Sequence, residues 1–260
     1  TGQSKNAQAA HDANRPAGLG ATDAAPDPYR LGEAYGTLRY GKLFEGLLYD
    51  CRRFVTLGGP SARFIGIAAE HWLRDRRLAQ DATYVVNMPS TPLGWSAGKF
   101  GEWYPDVNVG DGRLGTSTEK PYWQSGWFEQ HQRIASYAHS MKGLPLFISG
   151  DLHAVGGGSI VKSGDLDLRA NPLVSILSGP ISSGGGTFAT TFRGIGATPP
   201  TALEVRETYE PLEKNGFTIF DFTPERVSYM QFAWRGELGD PIELIDSMDP
   251  VYRGEHGSRL

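Results

Sequence analysis

The sequence has a single cysteine, Cys51, among its 260 residues, so no disulfide can form within the chain. It lacks any apolar run of about 20 residues, the length that a helix needs to span a bilayer. Positive charge is not in excess either: the formal net charge is −4, which provides no basic surface for nucleic acid or anionic lipid. These absences exclude a disulfide-stapled scaffold, a helical membrane span and a polybasic nucleic-acid-binding protein.

Glycine and proline are abundant instead, with 34 and 17 residues, which indicates a fold rich in loops. Residues 1–34 lack apolar periodicity and are predicted to be an irregular arm, followed by one domain over residues 35–236 and a polar tail over residues 237–260. Strand and helix patterns alternate within the domain, which predicts one layered α/β unit. Strand patterns cover residues 37–50, 82–89, 144–149, 171–180 and 215–234, and helical patterns cover 67–80 and 125–143.

A long glycine-rich and aromatic loop is predicted over residues 91–127, and loops of this length are uncommon in compact domains. Trp95, Trp103 and Tyr104 lie nearest the preceding strand. Two interpretations are equally open: these rings line a substrate opening, or they pin the loop to the body of the protein. In the following helix, His131 and His139 are two turns apart, and we expect the face that they share to be solvated.

The stretch "LPLFISGDLHAVGGGSI", residues 144–160, is a buried strand pattern that ends at Gly150 and is followed by Asp151 and His153. In an extended segment these two side chains point to the same face, at the strand edge where open α/β sheets bind ligands. Carboxylate oxygen and imidazole nitrogen are ligands for Fe, Mn or Zn, and the oxygen also suits Ca. The glycines after them leave backbone N–H groups accessible to an anion. Spacing alone favours the simpler alternative, in which Asp151 caps a turn and His153 is an ordinary loop histidine.

Several motifs in the same order resemble the alkaline phosphatase D family of calcineurin-like metallophosphoesterases. "SGDLH" followed by "LVSILSGPISSG" resembles the last metal motif of that family. "LRYGKLFEGLLYDCRRF" is similar to its strand pair that ends in Asp-x-Arg, and "AAEHWLRDRRL" to its Gln-x-x-Trp-Leu helix. "ATYVVNMPS" and "NGFTIFDFTPERV" resemble the following strand and the late hairpin. The earlier metal motifs of such enzymes are not found in this chain, so the resemblance covers only the C-terminal half of the fold.

The resemblance implies an α/β/β/α sandwich and hydrolysis of phosphate esters, either monoesters or diesters, by water activated at two metal ions (Fe, Mn, Zn or Ca). It implies that Asp151 is a metal ligand and that His153 is a second ligand or a hydrogen-bond donor to the phosphate. An N-terminal half, covalent or a separate chain, would complete the site. Family members are commonly exported, so a periplasmic or secreted protein is expected.

Two further residues are candidates at neighbouring strand ends. Asn87 ends the strand before the long loop, where it is either a third metal ligand or a turn-forming residue. Asp50 and Arg52 flank Cys51, and they are predicted either to form an ion pair that braces the strand end or, for Arg52, to contact phosphate. Together with the three loop aromatics, Arg52 completes the predicted substrate-binding set.

The alternative function is not catalytic. In it the chain has a degenerate phosphoesterase fold and binds a polymer or a protein partner through its aromatic loop.

Overall fold

The computed structural model describes residues 35–117, 119–183, 187–234 and 249–259. The helices are α1 (Ile67–Ala79), α2 (Ser125–His139) and α3 (Ala189–Arg193), with a 3₁₀ turn at Gly59–Ser61. The strands are β1 (Tyr35–Tyr40), β2 (Phe44–Tyr49), β3 (Tyr84–Pro89), β4 (Asp106–Asn108), β5 (Leu114–Thr116), β6 (Leu146–Ser149), β7 (Val155–Ser163), β8 (Leu166–Asp167), β9 (Leu173–Ser178), β10 (Leu203–Leu212), β11 (Asn215–Phe222), β12 (Arg226–Trp234) and β13 (Tyr252–Gly257). Every strand and helix pattern predicted above corresponds to one or two of these elements.

A mixed sheet in the order β1-β2-β3-β6-β9-β7-β10 forms the centre, with β8 attached to β7. Strands β2, β3, β6 and β9 are parallel, whereas β1, β7 and β10 pair antiparallel to their neighbours. Helix α1 connects β2 to β3, and α2 lies between β3 and β6, as crossovers between parallel strands require. Strands β6 and β9 are buried on both faces, which explains their nearly continuous apolar sequences.

The two faces of the central sheet contact different layers. Val85 and Phe147 pack with α1 and α2 on one face, and Val86 and Ile148 pack on the other face with the small antiparallel sheet β11-β12-β13, through residues such as Tyr229. Alternation along each strand produces this division. The described residues thus form three layers: helices, central sheet and small sheet. The fourth, helical layer of the expected α/β/β/α sandwich is not seen in this part of the chain.

The glycine run after His153 is a strand, not the anion-binding loop that we predicted. Gly156 and Gly158 lie in β7, which pairs with β9 on one side and β10 on the other. A Cβ atom on Gly156 would lie 2.8 Å from Cα of Pro211, and one on Gly158 would lie 2.7 Å from the carbonyl oxygen of Arg206. These glycines are therefore needed for close packing of β7 against β10.

The predicted C-terminal tail contributes to the body of the protein. Within it β13 pairs with β12, the Ser258 N–H donates to the Glu225 carbonyl, and the Ser258 carbonyl accepts from the Leu144 N–H. The predicted arm, residues 1–34, lies outside the described residues, as do residues 235–248. Within the described ranges, none of the helices has the length and apolar character needed to cross a membrane.

The long loop over residues 91–127 is held by a buried ion pair. The Glu102 carboxylate accepts hydrogen bonds from Ser96 Oγ at 2.7 Å and from the Ala97 N–H at 2.9 Å. Lys120 Nζ lies 3.3 Å from the same carboxylate, and both charged side chains are almost completely buried. A buried charge is costly unless it is paired and hydrogen-bonded. The Glu102–Lys120 pair therefore holds the early part of the loop, at Ser96 and Ala97, against its later part at Lys120.

Candidate functional site

The segment that carries Asp151 and His153 is a tight turn at the carboxyl end of β6. Both residues have left-handed backbone conformations, with φ of 75° and 52°, and the Leu152 N–H donates to the Gly150 carbonyl. Left-handed backbone at residues other than glycine is uncommon and is concentrated at functional sites and turns. The segment is therefore not extended as we expected, but both side chains still line one cavity.

The Asp151 carboxylate lies between two cations. Its Oδ1 accepts from Arg52 Nη2 at 2.7 Å, and its Oδ2 is in contact with Lys99 Nζ. The Lys99 and Asp151 side chains are only 10% and 16% exposed. Burial opposes ionisation of Asp151, but the two neighbouring cations outweigh it and lower the carboxyl pKa below its usual value. For Lys99, burial lowers the pKa of the ammonium group, and the Asp151 charge offsets only part of that effect.

Sequence reasoning did not identify Lys99. It lies in the glycine-rich loop, 52 residues before Asp151, and no motif or spacing connects the two residues. A flanking residue, Gly98, has a φ of 64°, and a Cβ there would lie 3.1 Å from the Asn108 backbone nitrogen. This left-handed, crowded turn sets the direction of the loop next to Lys99. The contact between Lys99 and Asp151 therefore depends on how the loop folds in three dimensions.

His153 is oriented by the segment that follows β9. Its Nδ1 donates to the Thr187 carbonyl at 2.9 Å, and Ser183 Oγ lies 3.4 Å from the same nitrogen. The Phe188 ring packs edge-on against the imidazole, with the ring centroids 6.3 Å apart. A carbonyl partner fixes the proton on Nδ1 and leaves Nε2 as an acceptor or a ligand, which is the usual arrangement of metal-binding histidines.

An open cavity of about 350 Å³ lies over this turn. It combines charged and apolar walls. Its lining residues are Lys99, Asp151, Leu152, His153, Thr187, Ala189, Phe192 and Arg193.

Asp151 and His153 are of the types that metal ions bind, but they do not make a metal centre by themselves. The described residues contain no group of three or more His, Cys, Asp or Glu side chains arranged to hold a metal, and a catalytic metal usually needs about three protein ligands. Both Asp151 oxygens also have cationic partners. The fit to a metal ion is therefore incomplete, and further ligands would have to come from outside the described residues.

Comparison with known proteins gives a structural similarity but no match to a family model or a curated protein. A solved structure entitled "Structure of PhoD" is similar, with 15% sequence identity and a TM-score of 0.48. The match covers 76% of this chain and 38% of that chain, so this chain spans well under half of the length of its structural neighbour.

Asn87 is not brought to this cavity. It is fully buried in β3, and its Oδ1 accepts from Nε of the buried Arg77 at 3.0 Å. It pairs with Phe147 in the middle of the sheet, two residues before β6 ends at Ser149, and it is not among the residues that line the cavity. The Asn87 side chain accepts a hydrogen bond from Arg77, a buried arginine between α1 and the sheet. The structure therefore does not group Asn87 with Asp151 and His153.

The three loop aromatics do not line the opening either. Trp95, Trp103 and Tyr104 are no more than 1% exposed. Trp95 Nε1 donates to Ser175 Oγ, and the Tyr104 hydroxyl accepts from the Gly94 N–H at 2.7 Å. Of our two interpretations, the structure supports the one in which these rings pin the loop to the body, and their assignment to substrate binding is corrected accordingly.

Arg52 does reach the site, but not through the predicted ion pair with Asp50. The Asp50 carboxylate accepts from the Arg52 backbone N–H at 2.7 Å, whereas the guanidinium contacts Asp151. The Arg52 side chain is 54% exposed, so it can also contact a ligand from solvent. Cys51, between them, is buried and free.

Proposed function

We propose that this chain forms part of a metal-dependent phosphate-ester hydrolase, with Asp151 and His153 as metal ligands and with Arg52 and Lys99 as phosphate-binding cations. The observation that carries the proposal is the turn after β6, where Asp151 meets two cations and His153 keeps Nε2 available for a ligand. The ordered sequence motifs around this turn support the same class of enzyme.

The cations suit a phosphate group for electrostatic reasons. Arg52 has a planar fork of N–H donors that matches two phosphate oxygens, and Lys99 adds a compact positive charge. Held in a partly buried site, these groups stabilise the negative charge that develops on the phosphoryl oxygens more strongly than water does. Metal ions of the proposed kind lower the pKa of bound water; their remaining ligands belong to an N-terminal half or another part of the chain.

The test is an analysis of metal content and aryl phosphate hydrolysis in the complete protein, with any co-purifying partner retained. We expect Asp151→Asn to lower metal affinity at least about tenfold and the hydrolysis rate with it, because a metal keeps its affinity only with its full set of anionic ligands. Asp75→Asn is the matched control, since that aspartate is 63% exposed on α1. Unchanged metal content and unchanged rate in Asp151→Asn would remove Asp151 from the site.

One observation favours a non-catalytic alternative. Both Asp151 oxygens are engaged by cations, which is the arrangement of a structural ion pair that supports anion binding at Arg52. Its aromatic-loop form cannot use Trp95, Trp103 or Tyr104, which are buried, but Phe100 and Tyr122 of the same loop are 63% and 71% exposed. Under this alternative the complete protein binds inorganic phosphate, contains no stoichiometric metal and hydrolyses no ester.

A further inference from the structure

The cavity beside Asp151 has two chemically different walls. Lys99, Asp151 and His153 form the charged wall, and Leu152 and Phe192 belong to the apolar wall. Pockets of this kind bind molecules with one charged end and one apolar end. If phosphate occupies the charged wall, the group attached to it is directed to the apolar wall.

Phe192 is the unusual member of the apolar wall because it is 71% exposed. The guanidinium carbon of Arg193 lies 5.0 Å from the ring centroid, so the two side chains form a cation–π pair at the opening. Such a pair is a platform on which a flat ring stacks.

The same short segment orients both the platform and His153. Thr187 provides the carbonyl that accepts from His153, and Phe188 packs against its ring. One helical turn later, the Phe192 N–H donates to the Phe188 carbonyl at 3.0 Å. The Thr190 N–H donates to Glu213 Oε1 at 2.8 Å and attaches this helix to the end of β10. The distance between the charged wall and the platform is thus set by local structure.

We propose that the ligand of this cavity is a phosphate ester with an aromatic leaving group, which stacks on Phe192 while its phosphate contacts Lys99 in the cavity lining and Arg52, which lies beside the lining in contact with Asp151. The inference rests on the proposed function for the position of the phosphate. It adds the class of ester, and it distinguishes aromatic esters from aliphatic ones.

The test compares the binding of phenyl phosphate, cyclohexyl phosphate and methyl phosphate to the complete protein by isothermal titration calorimetry. Phenyl phosphate is expected to bind at least about fivefold more tightly than the other two, because stacking on an aromatic side chain is worth about that factor. In Phe192→Ala, phenyl phosphate should bind as methyl phosphate does, with methyl phosphate unchanged. Tyr40→Ala is the control, since Tyr40 is an exposed aromatic residue of the edge strand β1, 76% exposed.

Equal affinities for the three esters overturn the inference, as does a Phe192→Ala variant that still prefers phenyl phosphate. A cyclohexyl ester that binds as well as the phenyl ester also overturns it, because apolar area alone would then account for the affinity. The proposed function fails separately. If the protein contains no metal and hydrolyses no ester but still prefers phenyl phosphate, the proposed enzyme is refuted and the aromatic binding site remains. If it binds all three esters with equal affinity and hydrolyses them, the aromatic site is refuted and the proposed enzyme remains.

Discussion

Acid should destabilise this protein through the buried histidine of α2. His131, which we expected on a solvated face, is fully buried in α2. Its ring is stacked on Phe128 with centroids 5.5 Å apart, and its Nε2 lies 2.9 Å from the Tyr104 hydroxyl. Burial lowers the pKa of His131 to about 3, since the charged imidazolium would lose its hydration there. The imidazole therefore stays neutral in the folded protein at pH values where the unfolded chain already binds a proton.

The size of the effect follows from the two pKa values. An unfolded histidine has a pKa of about 6.5, so below that pH protonation favours the unfolded state, until the folded protein is protonated as well near pH 3. At pH 5 the difference amounts to about 2 kcal/mol of lost stability relative to pH 8, at 1.36 kcal/mol for each unit between the unfolded pKa and the pH.

Urea unfolding followed by tryptophan fluorescence at pH 8 and pH 5 measures this loss. We expect His131→Gln, which keeps a polar group beside Tyr104, to lose about 2 kcal/mol less than the wild type between the two pH values, whatever its absolute stability. His71→Gln, which removes an exposed histidine of α1, separates the effect of burial from the loss of an imidazole as such. If His131→Gln and the wild type lose the same free energy between pH 8 and pH 5, His131 is not a buried neutral imidazole in the folded protein.

Two further predictions concern stability. Glu102→Gln should lower the free energy of unfolding by about 3 kcal/mol or more in urea titrations, because it leaves the buried Lys120 ammonium without its counter-charge. The control is Glu119→Gln at an exposed position. Equal stability of the two variants would contradict a stabilising role of the Glu102–Lys120 ion pair. Gly126→Ala should be destabilising by about 2 kcal/mol despite the better helix propensity of alanine, because its Cβ would lie 2.6 Å from a backbone carbonyl oxygen of the 3₁₀ turn. The control is Gly36→Ala, whose Cβ would meet no atom within 4 Å and which should change stability by less than about 1 kcal/mol. A stabilised Gly126→Ala would show that the 3₁₀ turn can move away.

The elements predicted best are those with strong local patterns. The strand before Asp151, the helices around Trp72 and Ile134 and the hairpin at Pro224 all appear close to their expected positions. Each has its own periodicity of apolar residues, so neighbours in sequence are sufficient to define it. Strands β7, β10 and β13 were not predicted, because glycine-rich or charged sequences become strands here through their pairing with neighbours.

The residues of the candidate site also fall into two groups, those predicted from local sequence and those brought together only by the fold. The sequence by itself determined that Asp151 and His153 lie together at the end of a buried strand, since two residues of separation and a strand pattern are local information. Only the tertiary structure decided which groups surround them. Lys99 comes from the long loop and Phe192 from α3, both far from Asp151 in the chain. Asn87 is engaged by a buried arginine, and Trp95, Trp103 and Tyr104 are buried. The burial of side chains and the pairing of charges depend on such contacts between segments far apart in the chain.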